Sequence, residues 1–324
     1  MTTRRLGAID AADDAALAQL IHAYPFKPYR NYRVLSRRLQ EAVMRAEIQE
    51  ALAQPSAGAI VVSGETDAAV VFQPLPWDSA FFDISMGRIL YILRGEDAQR
   101  NDIEAAVTAC LDACRASGIR HLMARVDVAD TDGIGALEDH GFRLMDALVT
   151  YIYHPKREPP PVVKEMGVLR PFREEDASQV VEITREAYKG FRSRFYVDPH
   201  LPADRCDELY VEWARRACTK EMAREMLVTE NGRGELHGFL SFRRIEPVST
   251  VGGVEMYGRG LGACRRERPG AYAGLIRAGT AWTHARGAVS ETQTQNYNYS
   301  TVRVYEAVGT QYVRAEYTLH AWLG

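Results

Sequence analysis

Short apolar runs and amphipathic stretches alternate along the chain, and together they predict a mixed α/β (α+β) protein. In the first half, residues 59–62 and 68–72 are predicted to form two strands, with residues 64–67 as the hairpin turn between them. A helix is predicted over residues 102–117. Helices therefore come first in this half, and a sheet with alternating helices and strands follows.

The second half has the same order of elements. Helices are predicted over residues 175–187 and 202–218, each with an acidic first turn that favours a helix N-terminus. Strands are predicted at residues 227–229 and 237–243, around an Asn-Gly-Arg-Gly turn at residues 231–234. Mixed sheets flanked by helices suit this order in both halves.

The clearest linker is the stretch of residues 154–161, which contains three prolines in succession. Proline cannot continue a helix or a central strand, and consecutive prolines favour an extended chain. We therefore predict two domains, residues 1–155 and 167–324, joined by a linker over residues 156–166.

The two halves end in the same pattern of a short helix, a glycine and a strand. Three pairs of identical residues share a separation of 168 positions, which suggests a repeated fold unit: Gly141 and Gly309, Ala147 and Ala315, Thr150 and Thr318. In this alignment Asp130 takes the place of Asn298, and Leu137 takes the place of Tyr305. The first copy is therefore expected to be degenerate and the second to carry the chemistry.

The composition is typical of a globular protein, with 46% apolar and 26% charged residues and a net charge of -3 over 324 residues. Nucleic acid is not expected as a partner, because a phosphate-binding surface is basic. No apolar run reaches membrane-spanning length, and the N-terminus turns acidic where a signal peptide would be apolar. We therefore expect a cytoplasmic protein with reduced thiols and no metal site. A homodimer is compatible with the sequence.

Asn298 and Tyr305 lie in an order of elements that resembles the C-terminal half of a GCN5-related N-acetyltransferase (GNAT). Asn298 follows a predicted strand at residues 290–294, Tyr305 lies near the end of a predicted helix at residues 300–308, and residues 315–323 close the chain as a strand. The resemblance implies two tandem GNAT-like domains with acetyl-CoA as co-substrate. It also implies that Tyr305 protonates the departing thiolate and that Asn298 contacts the cofactor or the backbone around it. A tyrosine suits this role because its unperturbed pKa, about 10, lies above that of a thiol, about 8.5. The alternative for Tyr305 is a purely structural role as an aromatic residue of the core.

Two segments compete for the loop that would bind the pyrophosphate of acetyl-CoA. The family pattern is Arg or Gln, two residues, Gly, one residue, and then Gly or Ala. We favour the segment at residues 268–273, which feeds a helix predicted over residues 274–285, although Ala271 replaces the usual glycine. The alternative is residues 257–262, which are richer in glycine. The cofactor-binding residues predicted from the favoured segment and from Asn298 are Arg268, Gly270, Ala271, Tyr272, Ala273 and Asn298.

Two further segments resemble TDP-fucosamine acetyltransferase and its relatives, namely residues 75–82 and residues 193–200. Relatives of this kind acetylate the amine of a nucleotide-linked amino sugar, which implies an aromatic acceptor cleft with cationic groups. The residues that the resemblance assigns to such a cleft are Trp77, Phe81, Phe82, Arg194, Phe195 and Asp198. An ordinary packing role for Phe195 remains an equal alternative.

The sequence thus predicts an N-acetyltransferase that moves an acetyl group from acetyl-CoA to a primary amine of a small acceptor. The general base stays unassigned, with Glu255, His320 and Asp198 as candidates beside a chain of waters. Two other functions stay open. One is a non-catalytic GNAT-like module that binds a CoA ester or a sugar nucleotide, and the other is an acyltransferase that uses a bulkier acyl donor.

Overall fold

A computed structural model describes residues 2–6, 11–63, 68–161 and 167–324. The turn predicted at residues 64–67 lies outside these residues, as does the end of the predicted linker. The chain forms two compact units. The first unit comprises Met1–Ala147 and Arg314–Gly324, and the second unit comprises Leu148–Val313. The division into two domains that are each continuous in sequence, residues 1–155 and 167–324, stays a prediction.

The first half begins with a strand, which contradicts the prediction that helices come first, and the two helices and the remaining elements follow it. Its elements are β1 (Thr2–Leu6), α1 (Ala11–Ala23), α2 (Arg37–Leu52), β2 (Gly58–Ser63), β3 (Ala68–Pro74), α3 (Pro76–Phe82), β4 (Met86–Arg94), α4 (Arg100–Ala116), β5 (His121–Asp127), α5 (Thr131–Asp139) and β6 (Arg143–Tyr153).

The second half continues with β7 (Val168–Pro171), a 3-10 turn (Glu174–Asp176), α6 (Ala177–Tyr188), α7 (Arg194–Val197), α8 (Ala203–Cys218), β8 (Glu225–Glu230), β9 (Leu236–Arg244), α9 (Glu246–Thr250), β10 (Met256–Cys264), α10 (Pro269–His284), β11 (Val289–Gln295), α11 (Tyr299–Ala307) and β12 (Gln311–Trp322).

The first unit is built on a mixed sheet with the strand order β1-β2-β3-β4-β5-β12. Strand β12 pairs antiparallel with β5, from Glu316 opposite Asp127 to Trp322 opposite His121, so the end of the chain completes this sheet. Helix α4 buries one face in the core. The residues of this face are three or four positions apart, a spacing that places them on the same side of a helix. The buried members of that face are Ile103, Ala106, Val107, Cys110, Leu111 and Cys114.

The second unit is built on a mixed sheet with the strand order β6-β11-β10-β9-β8-β7. Residues 148–153 of β6 pair antiparallel with β11, which places Leu148 opposite Gln295 and Tyr153 opposite Ser290. One core cluster lies under α10 and α11 and includes Phe242, Leu275 and Tyr305. The buried face of α10 contains Ala271, Leu275 and Ile276.

The two halves of the chain repeat one series of elements, as the spacing of 168 positions predicted. Strand β11 lies 168 positions after β5, and the N-terminal caps of α5 and α11 are Asp130 and Asn298. Their backbone angles agree closely, with φ/ψ of -84°/68° at Asp130 and -81°/64° at Asn298. Gly141 and Gly309 follow the two helices with φ of 82° and 80°, a left-handed conformation that favours glycine. A repeated fold unit is therefore confirmed.

Among the residues that the structure describes, no helix combines the length and apolar character needed to cross a membrane.

Candidate active site

Strands β10 and β11 of the second unit start as a parallel pair and then separate. Their pairing runs from Met256 opposite Val289 to Gly258 opposite Glu291, and it goes no further although both strands are fully described. On its other edge β10 shifts register against β9 between Arg259 and Gly262, which marks a β-bulge. A Cβ atom at Gly262 would lie 2.8 Å from the Leu240 side chain, so this position needs glycine for close packing. The separation leaves backbone polar groups of both strands directed into the gap between them.

The glycine-rich segment 257–262 therefore lies within β10, and the segment 268–273 lies at the start of α10. One expectation was wrong here: the helix begins at Pro269, five residues before the predicted start at Gly274. Proline is favourable at the first helical position for two reasons. Its fixed φ suits the helix, and an N–H at this position would have no intrahelical acceptor, so its absence costs nothing. Gly270, Ala271, Tyr272 and Ala273 thus form the first helical turns rather than a loop.

The N-terminus of α10 has the features of an anion-binding helix end. Arg268 is the N-terminal cap residue, its side chain does not cap the helix, and no acidic residue lies in the first turn. The N–H groups of a first helical turn lack intrahelical partners and carry the positive end of the helix dipole. The N–H of Ala271 donates to the Arg268 carbonyl oxygen at 2.9 Å, and Gly270 is exposed. An anionic group can therefore approach this end of the helix.

The corresponding helix of the first unit, α4, has its N-terminus occupied by its own side chain. The Asp102 carboxylate accepts a hydrogen bond of 2.9 Å from the backbone N–H of Gln99, the N-terminal cap residue. A carboxylate at this place satisfies the helix end and repels a second anion. The degeneracy predicted for the first copy is thus visible in the helix cap.

Tyr305 is buried on α11, with 3% of its surface exposed. Its hydroxyl lies 3.2 Å from the hydroxyl of Tyr272 on α10 and 3.5 Å from the Gln293 carbonyl oxygen on β11. Burial raises the pKa of Tyr272 well above its ordinary value, and the neighbouring Tyr305 raises it further. The two hydroxyls therefore form a buried pair in which Tyr272 stays protonated at neutral pH. In the first unit Leu137 takes the place of Tyr305 and is buried in the core.

Asn298 lies between β11 and α11 as the N-terminal cap residue. Its Nδ2 donates to Thr294 Oγ1 at 3.0 Å, and its Oδ1 accepts from Ser300 Oγ at 3.3 Å. These bonds orient the amide within the turn. Asp130, at the same place in the first unit, instead accepts from the Gly133 N–H at 3.0 Å and pairs with Arg94 at 2.6 Å.

Sequence reasoning missed Arg259, a buried arginine on β10 with 8% of its surface exposed. Its Nη2 donates to Thr280 Oγ1 on α10, whereas its Nε and Nη1 have no hydrogen-bond partner among the described residues. Burial lowers the pKa of Arg259 to about 10, against a raising influence of Tyr305 and Tyr272. The signal in the sequence was its position two residues after Tyr257, which places both side chains on the same face of β10.

The residues assigned to an acceptor cleft lie in two short helices, one in each unit, except Asp198, which follows the second of them. In the first unit, Trp77 and Phe81 stack on α3 with ring centroids 5.3 Å apart, and Phe82 is buried. In the second unit, the Arg194 guanidinium lies 4.2 Å from the Phe195 ring centroid on α7. Phe195 is buried and packs edge-on against Trp213, which agrees with the packing alternative for this residue. Asp198 is buried after α7, where its carboxylate accepts from the His200 N–H at 3.0 Å. Their role in acceptor binding stays a prediction.

The candidate bases differ in their surroundings. Glu255 accepts three hydrogen bonds of 2.9–3.1 Å from Arg244, and these bonds lower the pKa of its carboxyl group. A carboxylate held in this way is a weak proton acceptor. His320 is buried in the first unit, where its Nδ1 lies 3.1 Å from Nε2 of His121. The base therefore stays unassigned.

The first unit contains a pocket where β4 and β5 separate, after they pair from Met86 to Ile89. Its charged lining groups include Asp127, which pairs with Arg30 at 2.8 Å, and Glu316, which pairs with Arg314 at 3.1 Å. Arg125 also lines the pocket.

Comparisons with known proteins show which fold the chain shares. No family model matches the chain. A curated relative is the spore coat polysaccharide biosynthesis protein SpsD of Bacillus subtilis, 27% identical over 151 residues. This match covers 46% of this chain and 48% of SpsD, which is about half the length of that relative.

Solved structures match over the whole chain. A tandem GNAT protein from the clavulanic acid biosynthesis pathway superposes with a TM-score of 0.60 at 16% identity, covering 100% of this chain and 98% of that protein. A GCN5-related N-acetyltransferase from Sphaerobacter thermophilus superposes with a TM-score of 0.64 at 14% identity, covering 99% and 96%. The separation of β10 from β11, the repeat and these superpositions agree, and the chain therefore has the tandem GNAT fold.

Proposed function

We propose that this chain is an N-acetyltransferase that moves an acetyl group from acetyl-CoA to a primary amine of a small, sugar-like acceptor. The observation that carries the proposal is the position of the buried Tyr305 hydroxyl, beside Gln293 on the diverging strand β11 and Tyr272 in the first turn of α10. An acid at this place can serve a thioester that lies in the gap between β10 and β11.

The binding part of the proposal rests on the second unit. The pyrophosphate of acetyl-CoA would lie over Gly270–Ala273, where N–H groups and the helix dipole of α10 favour an anion. Asn298 would contact the cofactor or the backbone around it. The diverging strands would offer backbone hydrogen bonds to the amides of the pantetheine arm, in the manner of an added strand.

The chemical part assigns one role to Tyr305. The neutral amine attacks the thioester carbon, a C–N bond forms, and the C–S bond then breaks with its electron pair on sulfur. The Tyr305 hydroxyl gives its proton to that sulfur, so the leaving group departs as a thiol. A positioned acid of this kind is worth on the order of 10²–10⁴ in rate.

Support for an amino-sugar acceptor comes from two sources. The segments at residues 75–82 and 193–200 resemble enzymes that acetylate nucleotide-linked amino sugars, and the curated relative is named for polysaccharide biosynthesis. Stacked aromatic rings such as Trp77 and Phe81 suit the faces of a sugar or a nucleobase. Arg194 would pair with a phosphate of the acceptor.

The test of the function is a thermal-shift titration with acetyl-CoA, followed by a CoA-release assay. The assay compares a panel of amino-sugar nucleotides with a panel of lysine peptides. We expect acetyl-CoA to raise the melting temperature through binding to the native state, and turnover on amino sugars. Turnover on peptides with none on sugars would contradict the acceptor, and the absence of any acetyl-CoA binding would contradict the function.

Tyr305→Phe tests the acid, and Tyr299→Phe is its matched control on the same helix, since Tyr299 is 69% exposed. We expect Tyr305→Phe to lower kcat about 10²-fold or more while acetyl-CoA affinity changes little, because the hydroxyl acts only as the thiolate departs. Tyr299→Phe should keep the wild-type rate. An unchanged rate in Tyr305→Phe, with chemistry rate-limiting, would return Tyr305 to a packing role.

A further inference from the structure

Arg259 is a buried cation whose hydrogen-bonding capacity is mostly unused. Its side chain lies 92% out of solvent, and one of its donor groups, Nη2, reaches Thr280 Oγ1. Among the described residues its Nε and Nη1 have no acceptor, and no carboxylate forms an ion pair with it. Burying a charge without a partner is costly, so a protein keeps one mainly where its charge is needed.

The groups that face Arg259 are hydroxyls. Tyr272 of α10 and Tyr305 of α11 are the groups whose charge would act on it, and Thr280 of α10 accepts from it. Tyr188 of α6 lies close enough to Tyr305 for the two to interact electrostatically. Its hydroxyl donates to the Gly262 carbonyl oxygen at 2.9 Å. No carboxylate among the described residues pairs with Arg259, which is therefore a buried cation that faces no anion.

We propose that Arg259 stabilises the negative charge that acyl transfer creates on Tyr305 and on the departing sulfur. The inference rests on the proposed function, because it requires a thioester beside Tyr305. It extends that function by assigning an electrostatic role to a side chain on β10, next to the point where the strands separate.

The charge balance of the transfer step explains the need for this cation. As the C–S bond breaks, its electron pair stays on sulfur, and the Tyr305 proton moves to that sulfur. Tyr305 is left as a phenolate, the proton released by the amine goes to solvent, and solvent later returns a proton to Tyr305. During this step the negative charge passes from sulfur to the phenolate oxygen, and Arg259 attracts it in both positions.

Arg259 acts in the transition state more than in the ground state, which is the condition for raising kcat. Before the reaction no carboxylate among the described residues pairs with Arg259, and during the reaction Tyr305 becomes an anion in a buried site, where attraction is strong. The hydroxyl of Tyr272, 3.2 Å from that of Tyr305, can donate to the same phenolate. At neutral pH the guanidinium is charged, since burial lowers its pKa only to about 10.

The experiment measures kcat and the acetyl-CoA KM for wild type, Arg259→Met, Arg259→Lys and the control Arg243→Gln. Arg243 lies on the neighbouring strand β9 and is exposed, so this control removes one positive charge from the same sheet. We expect Arg259→Met to lower kcat about 10- to 1,000-fold with an acetyl-CoA KM within about twofold of wild type. Arg259→Lys should recover part of the rate, and Arg243→Gln should keep it.

A double-mutant cycle with Tyr305→Phe separates an electrostatic role from a packing role. If Arg259 acts on the Tyr305 phenolate, Arg259→Met should cost much less rate in the Tyr305→Phe background than in wild type. Equal losses in both backgrounds, a wild-type kcat in Arg259→Met, or a loss confined to acetyl-CoA binding would each overturn the inference.

A titration of tyrosinate absorbance gives a readout that needs no turnover. The wild-type minus Tyr305→Phe difference reports the ionisation of Tyr305, and Arg259→Met should move that ionisation to higher pH because a nearby cation is lost. A shift without any transferase activity would reject the proposed function and keep the electrostatic coupling. Transferase activity with no shift would reject this inference alone.

Discussion

Replacing Arg259 with methionine should stabilise the protein, although the substitution removes a buried residue. Burial lowers the pKa of Arg259 to about 10, compared with an ordinary value of about 12.5 for arginine. Each unit of pKa corresponds to about 1.4 kcal/mol, so keeping the guanidinium charged in the folded state costs roughly 3 kcal/mol. Methionine retains an unbranched apolar stem of similar length without the charge. We therefore expect the free energy of unfolding to rise by about 1–3 kcal/mol.

Arg94→Met is the matched comparison, because Arg94 is a buried arginine that has its partner. Arg94 is 9% exposed and pairs at 2.6 Å with Asp130, which is fully buried. Removing it leaves a buried carboxylate without its cation, and burial already raises the pKa of Asp130. Breaking a buried pair in this way typically costs about 3–5 kcal/mol. The two arginine-to-methionine changes should therefore shift stability in opposite directions.

The assay is urea unfolding followed by circular dichroism and tryptophan fluorescence, with the free energy obtained by linear extrapolation. The pH dependence has a defined sign. The pKa of Arg259 is lower in the folded state, so the unfolded chain binds more protons above pH 10 and the wild type gains stability there. Arg259→Met should lack this gain. A loss of stability in Arg259→Met comparable to that in Arg94→Met would refute the reasoning, because it would mean that Arg259 is satisfied in the native state.

Two more substitutions test binding. Gly270→Glu should weaken acetyl-CoA binding more than 10-fold in a thermal-shift titration. The melting temperature without ligand should stay unchanged or rise, since a Cβ at Gly270 meets nothing within 4 Å and an acid favours a helix N-terminus. Unchanged affinity would contradict the pyrophosphate position. Arg194→Ala should raise the acceptor KM far more than the acetyl-CoA KM, because its guanidinium would pair with an acceptor phosphate; equal changes in both constants would remove Arg194 from the acceptor site.

The repeat and most of the order of elements could be predicted from the sequence because both depend on local pattern, whereas the strands β1 and β7 that open the two halves were missed. The helix face of α4 and the paired glycines Gly141 and Gly309 are short-range signals, since periodicity and a left-handed φ are properties of a few adjacent residues. The predicted start of α10 was five residues too late because a local signal was overruled. The segment from Pro269 to Ala273 was assigned to a loop on its resemblance to a motif, whereas proline at the first helical position favours a helix there.

Sequence reasoning could not assign the strands to their sheets, because strand pairing joins residues far apart in the chain. Residues 148–153 of β6 pair with β11, and residues 316–322 of β12 pair with β5. No local pattern contains this information. One consequence concerns experiments on fragments: a fragment of residues 160–324 would lack the partner strand of β11 and leave an unpaired edge beside Tyr305. Binding should therefore be measured on the full chain.

The candidate site was predicted in part, and the missing part is electrostatic. Asn298 and Tyr305 could be proposed from the sequence because the first follows a strand and the second lies near the end of the next helix, an order that the sequence shows. Arg259 was missed because a single arginine in a strand is usually a surface residue, and only the packing of α10 and α11 over β10 makes it a buried cation. An unmatched charge cannot be recognised until the surrounding side chains are placed.

Where the two copies differ, the first has side chains that bond or pack within their own unit. Asp130 forms a helix cap and pairs with Arg94, Leu137 fills the core, and Asp102 caps α4.

The second copy keeps groups that are incomplete without a ligand. The cap residue of its helix α10, Arg268, makes no side-chain bond to the helix end. Its Tyr305 hydroxyl is held by long hydrogen bonds of 3.2 and 3.5 Å, and its Arg259 guanidinium is buried with unused donors. Unsatisfied polar groups cost stability, and proteins retain them where an incoming group completes them. An anion at the helix end and a charge developing beside Tyr305 would complete all three. The contrast between the copies therefore supports the second unit as the place of catalysis, independently of any likeness to other proteins.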